Sequence, residues 1–128
     1  MTRTILPLLA LGLLALPATA SAGERGQVTS KKLFLQYSLI CQSEDAKKLA
    51  EQEAQAYAGS DQGVAARNRA SAKVEELGRL RSRLRDMVEK YVAEKQLRWH
   101  ETKDVAKKLK IEDQIRDAQA LPDKSCDD

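Results

Sequence analysis

The fold is decided by the stretch VEELGRLRSRLRDMVEKYV, residues 74–92. Its apolar residues recur at steps of three and four, the spacing of a single seam along an α-helix. The members of this central seam are Leu77, Leu80, Leu84, Met87 and Tyr91. Charged residues flank the seam, so its apolar side must be covered by other helices. The stretch therefore predicts an all-α protein, either a small antiparallel helical hairpin or a three-helix bundle.

A second helix is predicted before this stretch, over residues 30–58. The segment 31–58 contains neither Pro nor Gly, and Ser30 is suited to cap its start. Four residues share one face by helical spacing, namely Leu33, Tyr37, Ile40 and Cys41. A thinner apolar side is continued by Leu39, Ala46, Leu49 and Ala50. This segment is therefore expected to supply the first cover for the central seam.

Turn residues then separate the predicted helices. The sequence GSDQG, residues 59–63, predicts a turn in which Gly59 ends one helix and Asp61 caps the next, which we expect over 64–99. A third helix is predicted over 103–120, with Thr102 as its cap and a stop at Pro122. Its apolar stripe is formed by Val105, Leu109, Ile111 and Ile115. Because no Gly or Pro separates the last two helices, one helix continuing past His100 remains an alternative.

The N-terminal residues 1–22 have the pattern of a cleaved signal peptide. Arg3 precedes an apolar run, Pro17 ends that run, and small residues follow. Cleavage is expected after Ala20 or Ala22. An uncleaved anchor would need about 18 continuous apolar residues, more than this run supplies. The pattern predicts one helical domain over 23–128 that is periplasmic or secreted, with no transmembrane segment after cleavage.

The two cysteines of the chain are Cys41 and Cys126. In an exported protein an even number of cysteines is typical of disulfide pairing. If the third helix folds back along the second, Cys126 comes level with Cys41 and the bond is intramolecular. A continuous long helix would instead hold Cys126 far from Cys41 and favour a bond between chains. We expect the intramolecular bond.

Enzymatic and cofactor roles are disfavoured by the residue types present. The chain has a single histidine, His100, so no serine or cysteine nucleophile has a recognisable base. On a continuous helix His100 and Asp104 would share a face, but two ligands do not make a metal site. Five aromatic residues and a formal charge of +3 also argue against nucleic-acid binding. The sequence therefore predicts a protein without catalytic residues, metal or other cofactor.

Two functional hypotheses remain. The first is a protein that acts in the cell envelope through protein–protein contacts, as an adaptor, chaperone or assembly accessory, with the central seam as the candidate interaction surface. In that case the seam could also form a homodimeric coiled coil. The alternative is binding of an anionic envelope polymer or lipid through the basic region Arg67–Arg85. Its candidate anion-binding residues are Arg79, Arg81, Arg83 and Arg85.

Overall fold

The structure is a computed structural model that describes residues 27–127. It consists of three α-helices, which we name α1 (Ser30–Ala56), α2 (Asp61–Glu101) and α3 (Val105–Ala120), and a short 3₁₀ turn (Leu121–Asp123). The described residues contain no β-strand. The predicted all-α helical bundle is thus confirmed, and the predicted signal peptide, residues 1–22, lies outside the described residues.

The turn between α1 and α2 reverses the chain in four residues. Gly59 has a φ of 85°, a left-handed conformation that glycine adopts without steric cost. The hydroxyl of Ser60 then accepts a hydrogen bond of 3.2 Å from the backbone N–H of Gly63. Ser60 is therefore the N-cap of α2, one residue before the predicted cap Asp61. As a result α2 begins three residues earlier than predicted.

The chain breaks between α2 and α3, so the alternative of one continuous helix past His100 is wrong. Thr102 leaves the helix with a ψ of 134°, and its hydroxyl donates to the Arg98 carbonyl at 2.7 Å. The carboxylate of Asp104 accepts from the backbone N–H of Ala106 at 2.9 Å and of Lys107 at 3.4 Å. The cap of α3 is therefore Asp104, where Thr102 was predicted.

The core lies between the two long helices and is closed on one side by α3. Its centre is Leu84, whose exposed fraction is 1%. The other buried apolar residues are Leu33, Ile40, Ala50, Ala66, Ala70, Leu77, Val88, Tyr91, Val92 and Ala118. Only Ala118 of α3 is fully buried, and two members of the predicted α3 stripe, Val105 and Leu109, are 71% and 56% exposed. The cover that α3 gives to the core is therefore thin.

A disulfide between Cys41 and Cys126 fastens the C-terminal residues to α1. The two Cα atoms are 5.5 Å apart and 85 residues apart in sequence, which confirms the predicted intramolecular pairing within the chain. Nearby, the Tyr37 hydroxyl donates to the Ser125 carbonyl at 2.7 Å. The chain after α3 thus crosses back to the middle of α1, so that α3 lies against the half of the hairpin opposite the α1–α2 turn.

No helix among residues 27–127 combines the length and the apolar character that a membrane-spanning segment needs.

Candidate functional site

The central seam of α2 is packed mainly inside the molecule. Leu77, Leu84 and Tyr91 are buried, and Leu80 and Met87 are partly buried against the same cluster. Burial, together with the nearby carboxylate of Asp117, raises the pKa of Tyr91. Because three of the five seam residues have almost no exposed surface, the seam offers little area to a partner protein while the bundle is closed.

A different apolar surface is open, on the side of α1 that faces neither α2 nor α3. Leu35, Leu39 and Leu49 are exposed by 54%, 47% and 66%. With Gln42 and Ala46 they follow one another at steps of four, three, four and three residues, which is the spacing of one helical seam. We name these five residues the α1 outer stripe. Over 14 residues the stripe is about 21 Å long.

The orientation of this stripe is fixed by polar contacts on the neighbouring, buried side of α1. Gln36 is 6% exposed, and its side-chain amide donates to the Leu80 carbonyl at 3.0 Å. Ser43 is 4% exposed, and its hydroxyl donates to the Glu76 carboxylate at 2.9 Å. Rotating α1 to bury the stripe would break both hydrogen bonds and leave buried polar groups without partners, which is costly. The leucines are therefore held at the surface.

Two ion pairs also join α1 to α2, in addition to the hydrogen bonds of Gln36 and Ser43. Arg81 pairs with Glu44 at 2.8 Å, and Arg69 pairs with Glu53 at 2.8 Å. The Arg69 guanidinium lowers the pKa of Glu53. These pairs are partly exposed, so each contributes little to stability, but together they favour one register of the hairpin.

The four candidate anion-binding arginines are not gathered into one patch. Arg81 is occupied by Glu44, and Arg79 and Arg83 border a shallow surface together with Glu75 and Asp86. Arg85 lies elsewhere, beside the contact of α2 with the end of α3. Within the described residues neither Arg83 nor Arg85 makes an ion pair. The structure thus brings Arg79 and Arg83 together, beside two acidic side chains.

His100 and Asp104 are separated by the break between α2 and α3. The ring of His100 packs edge-on to Trp99, with 5.2 Å between centroids. The Asp104 carboxylate is engaged in capping α3. Throughout residues 27–127, no group of three or more His, Cys, Asp or Glu side chains is arranged to hold a metal ion.

A polar cavity of about 420 Å³ lies beside the disulfide. Its wall includes the Glu44–Arg81 ion pair, and Lys124 lies 5.9 Å from the centre of the Tyr37 ring. Both acidic and basic side chains line it, so the cavity has no dominant charge. Its sulfur atoms are joined in the disulfide, and the cavity has no histidine. Its lining therefore contains neither a free thiol nor an imidazole.

Sequence reasoning placed Leu39 and Leu49 on an apolar side of α1 but did not single out Leu35 or the exposure of the set. The available signal was the repeated spacing of four and three residues, which also describes the buried face of the same helix. Which of two such stripes faces the core depends on the partners of Gln36 and Ser43, and these lie more than 30 residues away. Comparison with known proteins found no matching family model, and neither a curated protein nor a solved structure matches the chain significantly.

Proposed function

We propose that this chain is a non-enzymatic, exported helical protein that works in the cell envelope by protein contact through the α1 outer stripe. Its role is that of an adaptor, chaperone or assembly accessory. The observation that carries the proposal is the exposure of Leu35, Leu39 and Leu49 by about half or more on one side of a helix. Several exposed leucines grouped on one side of a helix favour a protein interaction site.

The support for a docking role comes from the shape of the surface. The α1 outer stripe is regularly spaced and held in place by the contacts of Gln36 and Ser43. A preformed surface loses less conformational entropy when it binds. An amphipathic helix with leucines at the same spacing would fit beside it.

Support for export and against enzymatic activity comes from the cysteines and the histidine. The Cys41–Cys126 disulfide suits an oxidising compartment such as the periplasm or the extracellular medium. Both thiols are joined, and the single histidine, His100, packs on Trp99, so the described part of the chain has no cysteine–histidine pair. The proposal therefore assigns the function to surface contact.

The test is site-specific photo-crosslinking in the producing cell. A photoreactive residue at position 39 or 49 is expected to give a discrete adduct with an envelope protein. The matched control is position 109, because the exposure of Leu109, 56%, lies between those of Leu39 and Leu49, but Leu109 is on α3, outside the stripe. Adducts of equal yield at all three positions would mean nonspecific contact and would contradict the proposal.

A second candidate function is binding of an anionic envelope polymer or lipid through the region Arg67–Arg85. It is favoured by Arg83 and Arg85, exposed arginines that make no ion pair within the described residues. Replacing Arg79, Arg83 and Arg85 by Gln should abolish binding to anionic vesicles, and raising the salt concentration should weaken it. Unchanged binding at high salt would exclude this function, whereas contact through the α1 outer stripe should survive both changes.

A further inference from the structure

We propose that the partner of the α1 outer stripe is a second copy of this chain, with the two α1 helices antiparallel and a two-fold axis near Gln42. This inference rests on the proposed function, because it uses the same surface and names its occupant. It is carried by the match between the two end leucines of the stripe about Gln42 and by the charges of Lys31 and Glu53, four residues beyond those ends.

The two ends of the stripe match each other when it is reversed about Gln42. Gln42 lies seven residues after Leu35 and seven residues before Leu49. In an antiparallel pair centred on Gln42, Leu35 of each copy therefore lies level with Leu49 of the other, and Leu39 lies within one residue of the level of Ala46 of the other. A C2 interface requires this kind of match, in which one patch contacts its own copy.

Gln42 is suited to the position on the axis. Its side-chain amide carries donors and an acceptor, so two symmetry-related Gln42 side chains can hydrogen-bond to each other. A polar residue within an otherwise apolar helix contact fixes the register at some cost in stability. The exposed amide of Gln42 makes no side-chain hydrogen bond among the described residues and is available for this pairing.

Charge favours the antiparallel arrangement over the parallel one. Lys31 lies eleven residues before Gln42 and Glu53 eleven residues after it, so each Lys31 lies level with Glu53 of the other copy. The side chain of Lys31 makes no contact with a carboxylate within the described residues. The contacts of Glu53 with Arg69 and Gln62 both end on Oε2, which leaves Oε1 available. A parallel pair would instead place the two Lys31 side chains together, which is unfavourable.

The first measurement is the molecular mass in solution over a range of concentrations, by sedimentation equilibrium on the oxidised protein. The wild-type chain is expected to form a dimer. The double variant Leu39→Glu with Leu49→Glu should remain a monomer at concentrations at least tenfold above the wild-type dissociation constant. The matched control Leu109→Glu should dimerise as the wild type does. Far-UV circular dichroism must show equal helix content in all three proteins, which separates loss of pairing from loss of folding.

The second measurement tests the orientation by zero-length carbodiimide crosslinking of lysine to carboxylate. Lys31 and Glu53 of one chain are 22 residues apart on the same helix, so about 33 Å separates them. A link between these two residues must therefore join two chains. We expect this linked peptide in the dimer band, and its loss in the variant Lys31→Gln.

Three outcomes would overturn the inference. They are a monomer at every concentration, a dimer that Leu39→Glu with Leu49→Glu does not weaken, and a dimer without the Lys31–Glu53 link. If the protein is a monomer and photo-crosslinking at position 39 still yields a discrete adduct with another envelope protein, the proposed function stands and only the identity of the partner is wrong. If the dimer forms and no other adduct appears, contact through the stripe is self-association alone.

Discussion

At the scale of single residues, two glycines of α2 differ sharply in what surrounds them. A Cβ atom added to Gly63 would collide with the Tyr57 carbonyl oxygen and would lie 2.8 Å from the Tyr57 carbonyl carbon. A Cβ added to Gly78 would meet nothing within 4 Å. Gly63 therefore allows the start of α2 to approach the end of α1, whereas Gly78 is an interior helix glycine without a packing role.

We expect opposite effects from alanine at these two positions. Gly63→Ala should lower the free energy of unfolding by about 1–3 kcal/mol, because the backbone of the turn must move to admit the methyl group. Gly78→Ala should raise it by about 0.5–1 kcal/mol, because alanine loses less conformational entropy in a helix. Urea denaturation followed by circular dichroism measures both. Equal effects of the two substitutions would show that the turn adjusts freely.

We expect the contact between Ser43 and Glu76 to make the stability of the protein depend on pH. The hydrogen bond from Ser43, followed by that from Lys73, lowers the pKa of Glu76 below its ordinary value of 4.5. Since the folded-state pKa is below the unfolded one, the associated stability is present above pH 4.5 and is lost as the pH falls through the lowered value. Ser43→Ala should therefore raise the pKa of Glu76. The loss of stability that comes from this change in pKa should be present at pH 7 and should disappear in acid.

Two measurements check this expectation. Carboxyl NMR titration should show that Glu76 titrates at higher pH in the Ser43→Ala variant than in the wild type, and urea denaturation at pH 7 and pH 3 should show the loss of stability mainly at pH 7. Ser38→Ala is the control, because Ser38 contacts no carboxylate among the described residues. A Glu76 titration that is the same in all three proteins would contradict the role of Ser43.

At the scale of helices, periodicity predicted the number and order of the helices. It did not predict where each helix ends, or in every case which side of the helix faces the core. Each predicted cap was one or two residues from the observed one, as at α1, where the cap is Thr29 and Ser30 was predicted. Neighbouring Ser, Thr and Asp residues compete for the same role. For α3 the predicted stripe included Val105 and Leu109, which are exposed. The direction in which α3 faces is set by Ala118 and by the disulfide-linked tail, and neither is encoded in the local spacing of its large apolar residues.

We expect the N-cap of α3 to contribute to the stability of the protein. Asp104→Ala removes the acceptor of two backbone N–H groups at 2.9 and 3.4 Å, which should cost about 1 kcal/mol of stability. Asp104→Asn should retain most of it, since asparagine is also a good N-cap. Trp99, the only tryptophan, donates to the Glu112 carboxylate at 2.9 Å and so reports on α3. Its fluorescence and the urea midpoint should change in Asp104→Ala and hardly at all in Asp104→Asn.

At the scale of the whole molecule, the three helices are unequally attached. The helices α1 and α2 share most of the buried residues, while α3 contributes one buried side chain, Ala118, with Ile115 packed at the edge beside Leu121 of the 3₁₀ turn. The apolar area that α3 buries is therefore small for the 16 residues it orders. The Cys41–Cys126 bond is what compensates for this difference, because it holds the end of α3 beside α1 by a covalent link.

Removing the disulfide should consequently affect the helices differently. For a loop of about 85 residues the chain-entropy model assigns a loss of about 4–5 kcal/mol in the free energy of unfolding. Beyond this global loss, the amides of Val105–Ala120 should lose hydrogen-exchange protection more than those of α1 and α2, because α3 can then detach while the hairpin remains folded. The comparison is between the oxidised protein and the variant Cys41→Ser with Cys126→Ser, and adding reductant to that variant should change nothing. If all three helices lost protection equally, α3 would be an integral part of one cooperative bundle, and its few buried contacts would be stronger than their area indicates.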